Sequence, residues 1–235
     1  MTKNSKTERK NQLSPIDKKG FYNVLFSRRD VRSDFIKKNI RLKILMKILN
    51  AAHHAPSVGF SQPWNFIIIR NLDTRNKIKE SFIKEHNKAI ALLKSNKQKQ
   101  EKYRSLKLEG IIESNLNICV TYDASRFGPF IIGKTSIPET GIYSVCCAIQ
   151  NLWLAARAEN IGVGWVSIIS NSELKKILEI PKNIKPIAYL CLGYVSEFSK
   201  QPDLQKAKWL NRMNLCDVIY YEGWNITANF EKLVK

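Results

Sequence analysis

The chain has 235 residues, 44% of them hydrophobic, so it is long enough to bury one large core or two small ones. Lys and Arg number 39 against 20 acidic residues, a formal net charge of +19 that would suit a polyanion such as nucleic acid. The excess is dispersed, however, and much of it lies in residues 1–19 and 84–107, which are polar and carry no nucleic-acid motif. We interpret it as a solubilising surface that also attracts phosphorylated ligands, and we expect no nucleic-acid partner.

The cysteines and histidines predict neither a disulfide framework nor a metal site. The five cysteines are Cys119, Cys146, Cys147, Cys191 and Cys216. They form no CxxC pair, and four lie in apolar runs, so we expect small core residues in a reducing cytosol. The three histidines lack a HExxH context. No apolar run reaches the length of a membrane span and the N-terminus is polar, so we expect a cytoplasmic protein without a membrane partner.

Helical spacing of apolar residues predicts helices, and short β-branched or aromatic runs predict strands. The predicted helices are residues 16–26, 42–52, 73–99 (one helix or two), 101–115, 142–159 and 173–178, and the predicted strands are residues 64–70, 117–122, 162–169 and 186–194. The helix over 142–159 has so broad an apolar face that it must be nearly enclosed. Ser172 is the predicted N-cap of the helix that follows it.

The organisation predicted from these elements is a single α+β domain over residues 16–235, because no linker divides it. Residues 1–15 are predicted to be a flexible basic leader. Residues 124–141 form a loop long enough to be functional.

The stretch Arg28-Arg29-Asp30-Val31-Arg32 lies on the predicted connector between the first two helices. Planar guanidiniums suit a phosphate, and no glycine-rich phosphate loop follows any strand, so a phosphate would have to be held by side chains. Asp30 could accept a proton if desolvation raises its pKa. The alternatives are a solvated, internally paired turn, and a carboxylate that only orients its arginine neighbours.

Other motifs follow in order along the chain: Pro-Ser-Val-Gly-Phe-Ser-Gln-Pro-Trp at 56–64, Lys-Leu-Glu-Gly-Ile at 107–111, Asn-Leu-Trp-Leu-Ala-Ala-Arg at 151–157 and Gly-Val-Gly-Trp-Val-Ser at 162–167. Together with the arginine stretch they resemble the flavin-dependent nitroreductase superfamily, most closely its 5,6-dimethylbenzimidazole synthase branch, the BluB family. Two departures from common nitroreductases agree with that branch: Asp30 stands where a serine is usual, and Phe60 where an asparagine is usual. The resemblance extends from about Phe21 to Arg212.

The resemblance implies a nitroreductase-like α+β fold, with a central, mostly antiparallel sheet surrounded by helices. It also implies a homodimer with two FMN sites at the subunit interface, each drawing on both chains. Asp30 is implied to move protons and Ser167 to position the oxygen adduct, as catalytic residues. The implied FMN-binding residues are Arg28, Arg29, Asp30, Val31, Arg32, Ser57, Gln62, Leu108, Val166, Ser167 and Arg212.

The activity that the resemblance implies is the O2-dependent fragmentation of reduced FMN to 5,6-dimethylbenzimidazole, the lower ligand of cobalamin. FMN would be both cofactor and substrate, O2 the co-substrate, and a separate flavin reductase a candidate partner. A lid would come from residues 99–110 or 124–141. One alternative is an NAD(P)H-dependent FMN nitroreductase or flavin reductase, which would recycle its flavin. A second is a non-enzymatic protein that binds flavin or nucleic acid.

Overall fold

The computed structural model describes residues 12–226. The chain divides into two compact units, the first ending at Lys200 and the second beginning at Gln201. The single domain predicted over 16–235 stays a prediction, since compactness alone does not test it. The predicted leader lies outside the described residues except for its last four positions, of which Pro15 begins the first helix. No helix among residues 12–226 is both long and apolar enough to cross a membrane.

Helices and strands alternate irregularly along the chain, as the sequence predicts. In chain order they are α1 Pro15–Ser27, α2 Leu42–His53, a 3-10 turn Val58–Phe60, β1 Trp64–Ile69, α3 Leu72–Leu92, α4 Lys97–Ser105, β2 Leu116–Asp123, α5 Thr140–Ala158, β3 Ile161–Val166, α6 Asn171–Ile177, β4 Ile184–Tyr194, α7 Asp203–Lys206 and a second 3-10 turn Leu215–Val218. The loop predicted over 124–141 is present and ends where α5 begins.

The sheet has four strands in the order β1-β2-β4-β3, and each neighbouring pair is antiparallel. The register of β2 against β4 shifts between Val120 and Thr121, where Pro186 stands on the partner strand. Proline has no N–H to donate to the ladder, so a local irregularity is expected there. The predicted α+β class with a mostly antiparallel sheet is confirmed.

The sheet separates two clusters of buried apolar side chains, one with α2 and α5 and the other with α3 and α6. Successive residues of β4 alternate between them: Leu190 belongs to the first cluster, and Tyr189 and Cys191 to the second. The first cluster also holds the predicted apolar face of α5, which is Val145, Ala148, Ile149, Leu152, Trp153 and Ala156. The core thus encloses one side of α5 and leaves the other side on the surface.

Two predicted details of the helices are wrong. The helix over 101–115 ends at Ser105, because the backbone groups beyond it bond to side chains: Glu109 accepts the N–H of Ile111 at 2.7 Å, and Arg75 donates to its carbonyl at 2.6 Å. The cap of α6 is Ser170 rather than Ser172, since the Ser170 hydroxyl accepts the N–H of Glu173.

The prediction of core cysteines holds for two of the four that lie in apolar runs. Cys119 and Cys191 are buried in the sheet, and burial raises the pKa of each thiol to about 12. Cys146 and Cys147 are exposed instead. They lie on the surface side of α5, which the chain itself leaves open.

Candidate active site

The arginine connector, residues 28–32, leaves the end of α1 and runs alongside β3. The N–H of Val31 donates to the carbonyl of Val163 at 3.0 Å, and Asp30 forms a parallel bridge with Val163. A Cβ at Gly164 would lie 2.1 Å from the Val31 carbonyl oxygen, so only glycine fits there. The backbone that approaches Gly164 this closely is that of the connector itself.

Asp30 is anchored at both carboxylate oxygens. Its Oδ1 accepts the N–H of Trp165 at 3.0 Å, and its Oδ2 pairs with the guanidinium of Arg32. The side chain is 32% exposed. Burial raises the pKa of the Asp30 carboxyl above its ordinary value, although Arg32, the Trp165 N–H and Arg28 all oppose the rise. The result is a partly desolvated carboxyl group whose proton affinity is increased, as a proton-transfer group requires.

The three arginines of the connector have different surroundings. Arg28 lies over the ring of Trp153, 4.7 Å from its centroid. Arg29 donates to the carbonyls of Phe26 and Arg28, each at 2.7 Å, and of Lys200 at 2.6 Å. The Nε atoms of Arg29 and Arg32 are buried with no hydrogen-bond partner among the described residues.

A fourth arginine, Arg157, is the last residue of the motif at 151–157. It follows Trp153 by one helical turn on α5, and the Trp153 indole donates to the Arg29 carbonyl at 3.1 Å. Arg157 lies 4.0 Å from the Phe198 ring centroid, and its Nε donates to the Ser27 carbonyl at 3.4 Å. Burial, and then the charge of Arg29, lower the pKa of Arg157. No local sequence signal indicates these contacts, because the Phe198 ring and the Ser27 carbonyl are brought near Arg157 by the fold.

The loop over residues 57–62, called the ring-edge loop below, contains Ser57 and Gln62, two polar side chains predicted to bind the ring edge or the ribityl chain of FMN. The Ser57 hydroxyl accepts the N–H of Gln62 at 3.0 Å, and the Gln62 side-chain amide donates to the Phe60 carbonyl at 2.7 Å. Both therefore bond within the loop, and their contact with flavin stays a prediction. Phe60 is 80% exposed with φ 54°, at the tip of the loop.

Sequence reasoning missed Arg126, which joins the ring-edge loop to the long loop over 124–139. Its Nη1 donates to the carbonyls of Gln62 and Trp64, each at 3.0 Å, and its Nη2 bonds the side chain of Asn65. A Cβ at Gly59 would lie 2.7 Å from the side chain of Ile131, so the two loops are closely packed. The charge alone gives no signal of this role, because its partners are backbone carbonyls some sixty residues away.

The other predicted site residues are divided among three places. Val166 is buried at the end of β3, and Ser167, which follows it, is exposed on a cavity of about 170 Å³ that also touches Tyr189. Leu108 packs against the cluster beneath α3 and α6. Arg212 belongs to the second unit, where it lines a pocket of about 500 Å³ with Leu210 and Met213. No group of three or more His, Cys, Asp or Glu that could hold a metal occurs among residues 12–226.

Within one chain the arginine connector and the ring-edge loop attach to different parts of α5. The Val58 N–H donates to the Ser144 hydroxyl at 3.0 Å, whereas Arg29 bonds Trp153. Nine residues of helix separate the two attachment points, which corresponds to about 13 Å along the axis. One chain therefore brings Asp30, the arginines and β3 together, and attaches the loop with Ser57 and Gln62 at another point of α5.

The fold and the connector place this chain in the class of nitroreductase-family proteins. The nitroreductase family model matches residues 25–194, and the chain belongs to that family. A 5,6-dimethylbenzimidazole synthase of Rhodospirillum rubrum is 38% identical over 185 residues, which cover 79% of this chain and 86% of that protein.

Two solved structures have the same fold. A BluB-like flavoprotein from Clostridium difficile 630 superposes with a TM-score of 0.66 at 20% identity, covering 86% of this chain and 98% of that one. An oxidised iodotyrosine deiodinase bound to FMN and 3-iodo-L-tyrosine gives a TM-score of 0.69 at 18% identity, covering 87% and 100%.

Proposed function

We propose that this chain is a 5,6-dimethylbenzimidazole synthase, an oxidoreductase that fragments reduced FMN in an O2-dependent reaction. Asp30 is the observation that carries the proposal: a partly desolvated carboxyl group stands among the connector arginines, and its pKa is raised. The relative of that name, 38% identical over most of both chains, supports the same activity. A cytoplasmic location and a separate flavin reductase as supplier belong to the same proposal.

The connector has the donors that a mononucleotide phosphate needs. Arg28, Arg29 and Arg32 carry three positive charges against the single carboxylate of Asp30, and two of their Nε groups are buried without a partner among the described residues. A dianionic phosphate would compensate this excess and accept those N–H groups. Val31, buried against β3, fixes the backbone between them.

When bound, FMN supplies the redox chemistry, and the protein supplies orientation, proton transfer and exclusion of water. The Trp165 N–H and Arg32 hold the Asp30 carboxylate in one orientation, in which it accepts a proton and later returns it. Ser167 adds an exposed hydroxyl at the end of the strand that carries Trp165. Leu108 and Val166 add apolar surface, and Arg212 is a further candidate for the phosphate.

A homodimer completes the site in this proposal. The arginine connector and the ring-edge loop of one chain attach to α5 about 13 Å apart, so a partner's ring-edge loop would add Ser57 and Gln62 to the arginines of the first chain. Exposed apolar side chains on α1 support such an association, because the helix has no buried residue. They are Ile16, Phe21, Tyr22 and Phe26.

The test is to mix the purified protein anaerobically with chemically reduced FMN, admit air and analyse the extract by mass spectrometry. We expect 5,6-dimethylbenzimidazole that depends on both the protein and O2. Recovery of intact oxidised FMN, with steady NADH oxidation by nitroarenes, would replace the proposal with a nitroreductase or flavin reductase. DNA binding that persists at physiological salt without flavin turnover would favour the non-enzymatic alternative.

A further inference from the structure

A buried turn, residues 109–115, lies between α3 and the arginine connector, and we refer to it as the clamp turn. On one side it receives Arg75 of α3, which is 5% exposed. The Arg75 guanidinium donates to the carbonyls of Ile111 at 2.6 and 2.9 Å, Ile112 at 2.8 Å and Ser114 at 2.5 Å. No carboxylate lies within ion-pair distance of it among residues 12–226. The Arg75 guanidinium therefore fixes the backbone conformation of the turn and does not neutralise a carboxylate.

Lys79, one helical turn after Arg75 on α3, holds the start of the same turn. Its ammonium group pairs with the carboxylate of Glu109, whose side chain is 4% exposed. Lys107 approaches the same carboxylate at 3.2 Å, and the other carboxylate oxygen accepts the N–H of Ile111 at 2.7 Å. Two cationic side chains on one face of α3 thus hold both the carboxylate and the carbonyls of the clamp turn.

The opposite side of the clamp turn touches the end of the connector. A Cβ at Gly110 would lie 3.1 Å from the Arg32 carbonyl oxygen and 2.6 Å from the ring of Phe35. The Asn115 amide reaches the Ile36 carbonyl at 3.4 Å. The clamp turn is therefore the support directly behind Arg32, the residue that pairs with Asp30.

We propose that Arg75, Lys79 and Glu109 are positioning residues that act through Gly110 to hold Arg32 beside Asp30. None of them belongs to the predicted FMN-binding set, and their role rests on the proposed function of Asp30. The charged side chains that act on Asp30 are Arg28 and Arg32, and β3 adds the N–H of Trp165. If Arg32 moves away, burial of Asp30 is opposed less, and the pKa of its carboxyl rises further.

The decisive variant is Glu109→Gln, which keeps an acceptor for the Ile111 N–H but removes the charge that pairs with Lys79. Its matched control is Glu113→Gln on the same turn, where the lost partner is Lys107 at 2.5 Å and the side chain is 44% exposed. In protein labelled with ¹³C at the aspartate carboxyls, the Asp30 resonance is identified by its loss in Asp30→Asn. We expect its pKa to rise by about one unit in Glu109→Gln and to stay unchanged in Glu113→Gln.

The pH profile of product formation supplies the second readout. In Glu109→Gln it should move to higher pH by the same amount as the Asp30 resonance, which a general loss of stability would not produce. Equal Asp30 titration curves in Glu109→Gln and Glu113→Gln would overturn the proposal.

Gly110→Ala tests the same contact if Glu109→Gln folds poorly, because the added methyl must displace Phe35 or the Arg32 backbone. Gly20→Ala is its control, since nothing lies within 4 Å of a Cβ there. We expect the Asp30 pKa to rise in the first and not in the second; an unchanged pKa in both would contradict the proposal. Since the titration needs no turnover, a shift in a protein that makes no dimethylbenzimidazole would refute the proposed function and leave the positioning role standing.

Discussion

The arginine connector and the ring-edge loop differ in how much of their surroundings one chain supplies. The connector is bonded to β3 through Val31 and to α5 through Arg29, and its carboxylate is held at both oxygens. The ring-edge loop has the exposed Phe60 at its tip. It packs on a second loop with further exposed apolar side chains, namely Phe127, Phe130 and Ile132.

The chemistry of the proposed site and its assembly are therefore encoded in different parts of the sequence. Several exposed apolar side chains on two loops that pack together suit a partner that covers them. In the proposed site, one chain therefore supplies the proton-transfer group, and a second chain would cover the ring-edge half.

The largest effect should come from Asp30→Asn, which tests whether the arginine connector carries the proton-transfer group. The amide can still accept the Trp165 N–H, but it cannot accept a proton, so we expect product formation to fall about 10²- to 10⁴-fold with FMN affinity nearly unchanged. Binding is measured by flavin fluorescence, and product by mass spectrometry. Asp34→Asn is the control, because Asp34 is exposed and its carboxylate accepts a hydrogen bond from the Ser33 hydroxyl rather than from the connector. A normal yield from Asp30→Asn would remove Asp30 from the mechanism.

The raised pKa of Asp30 also sets the direction of the pH dependence. A base must be deprotonated, so product formation should increase as pH rises through the Asp30 pKa, at a pH above the ordinary range of an aspartate. The rate is measured at saturating reduced FMN over a pH series that starts in the ordinary range of an aspartate and extends upward. A rate that is already maximal at the acid end would mean that another group limits the reaction.

Phe26→Lys on α1 tests whether the site is shared between two chains. Phe26 is 71% exposed on a helix with no buried residue, so a charge there should not unfold the chain but should weaken self-association by about 2 kcal/mol, or some 30-fold. Light scattering after gel filtration reports the oligomeric state, and FMN affinity should fall with it. Ile83→Lys, on an exposed position of α3, is the control. A tightly flavin-binding monomer would contradict a site shared between two chains.

Long periodic elements were predictable from the sequence because their signal is local. The apolar face of α5 follows from the spacing of its residues, and the strands β2 and β4 follow from the composition of short apolar runs. The predicted helix over 101–115 failed because Arg75, some forty residues away, bonds the carbonyls that a helix would have used. No window around Glu109 contains that information.

The residues of the candidate site were likewise predictable where their signal is local in the sequence. The connector motif is contiguous, so its arginines and Asp30 could be identified from their order and from the family resemblance. Arg126 and Arg157 could not, since their partners are backbone carbonyls and a ring brought near by the fold. The exposure of Cys146 and Cys147 was missed for a related reason: a broad apolar helix face predicts burial without distinguishing the protein's own core from an uncovered surface.

Gly164→Ala tests how the arginine connector is held against β3. The new methyl would meet the Val31 carbonyl at 2.1 Å, so the connector must shift, and we expect a loss of about 1–3 kcal/mol in the free energy of unfolding together with weaker FMN binding. Denaturant titration measures the first and fluorescence the second. Gly20→Ala, which meets nothing and lies inside α1, should leave FMN binding unchanged and raise the free energy of unfolding by about 0.5–1 kcal/mol. Unaltered stability in Gly164→Ala would mean that the connector is not held against β3.

The smallest effects should distinguish two neighbouring arginines. Both keep a buried Nε without a partner among the described residues, but Arg29 also donates to three backbone carbonyls, whereas Arg32 pairs with Asp30. Arg29→Met leaves carbonyls unpaired and should lower the free energy of unfolding by about 1–2 kcal/mol. Arg32→Met should instead weaken FMN binding about tenfold, the loss of one charge-assisted hydrogen bond. If Arg29→Met weakens FMN binding more than Arg32→Met does, Arg29 turns from the carbonyls to the phosphate on binding, and the connector is less complete in one chain than its contacts indicate.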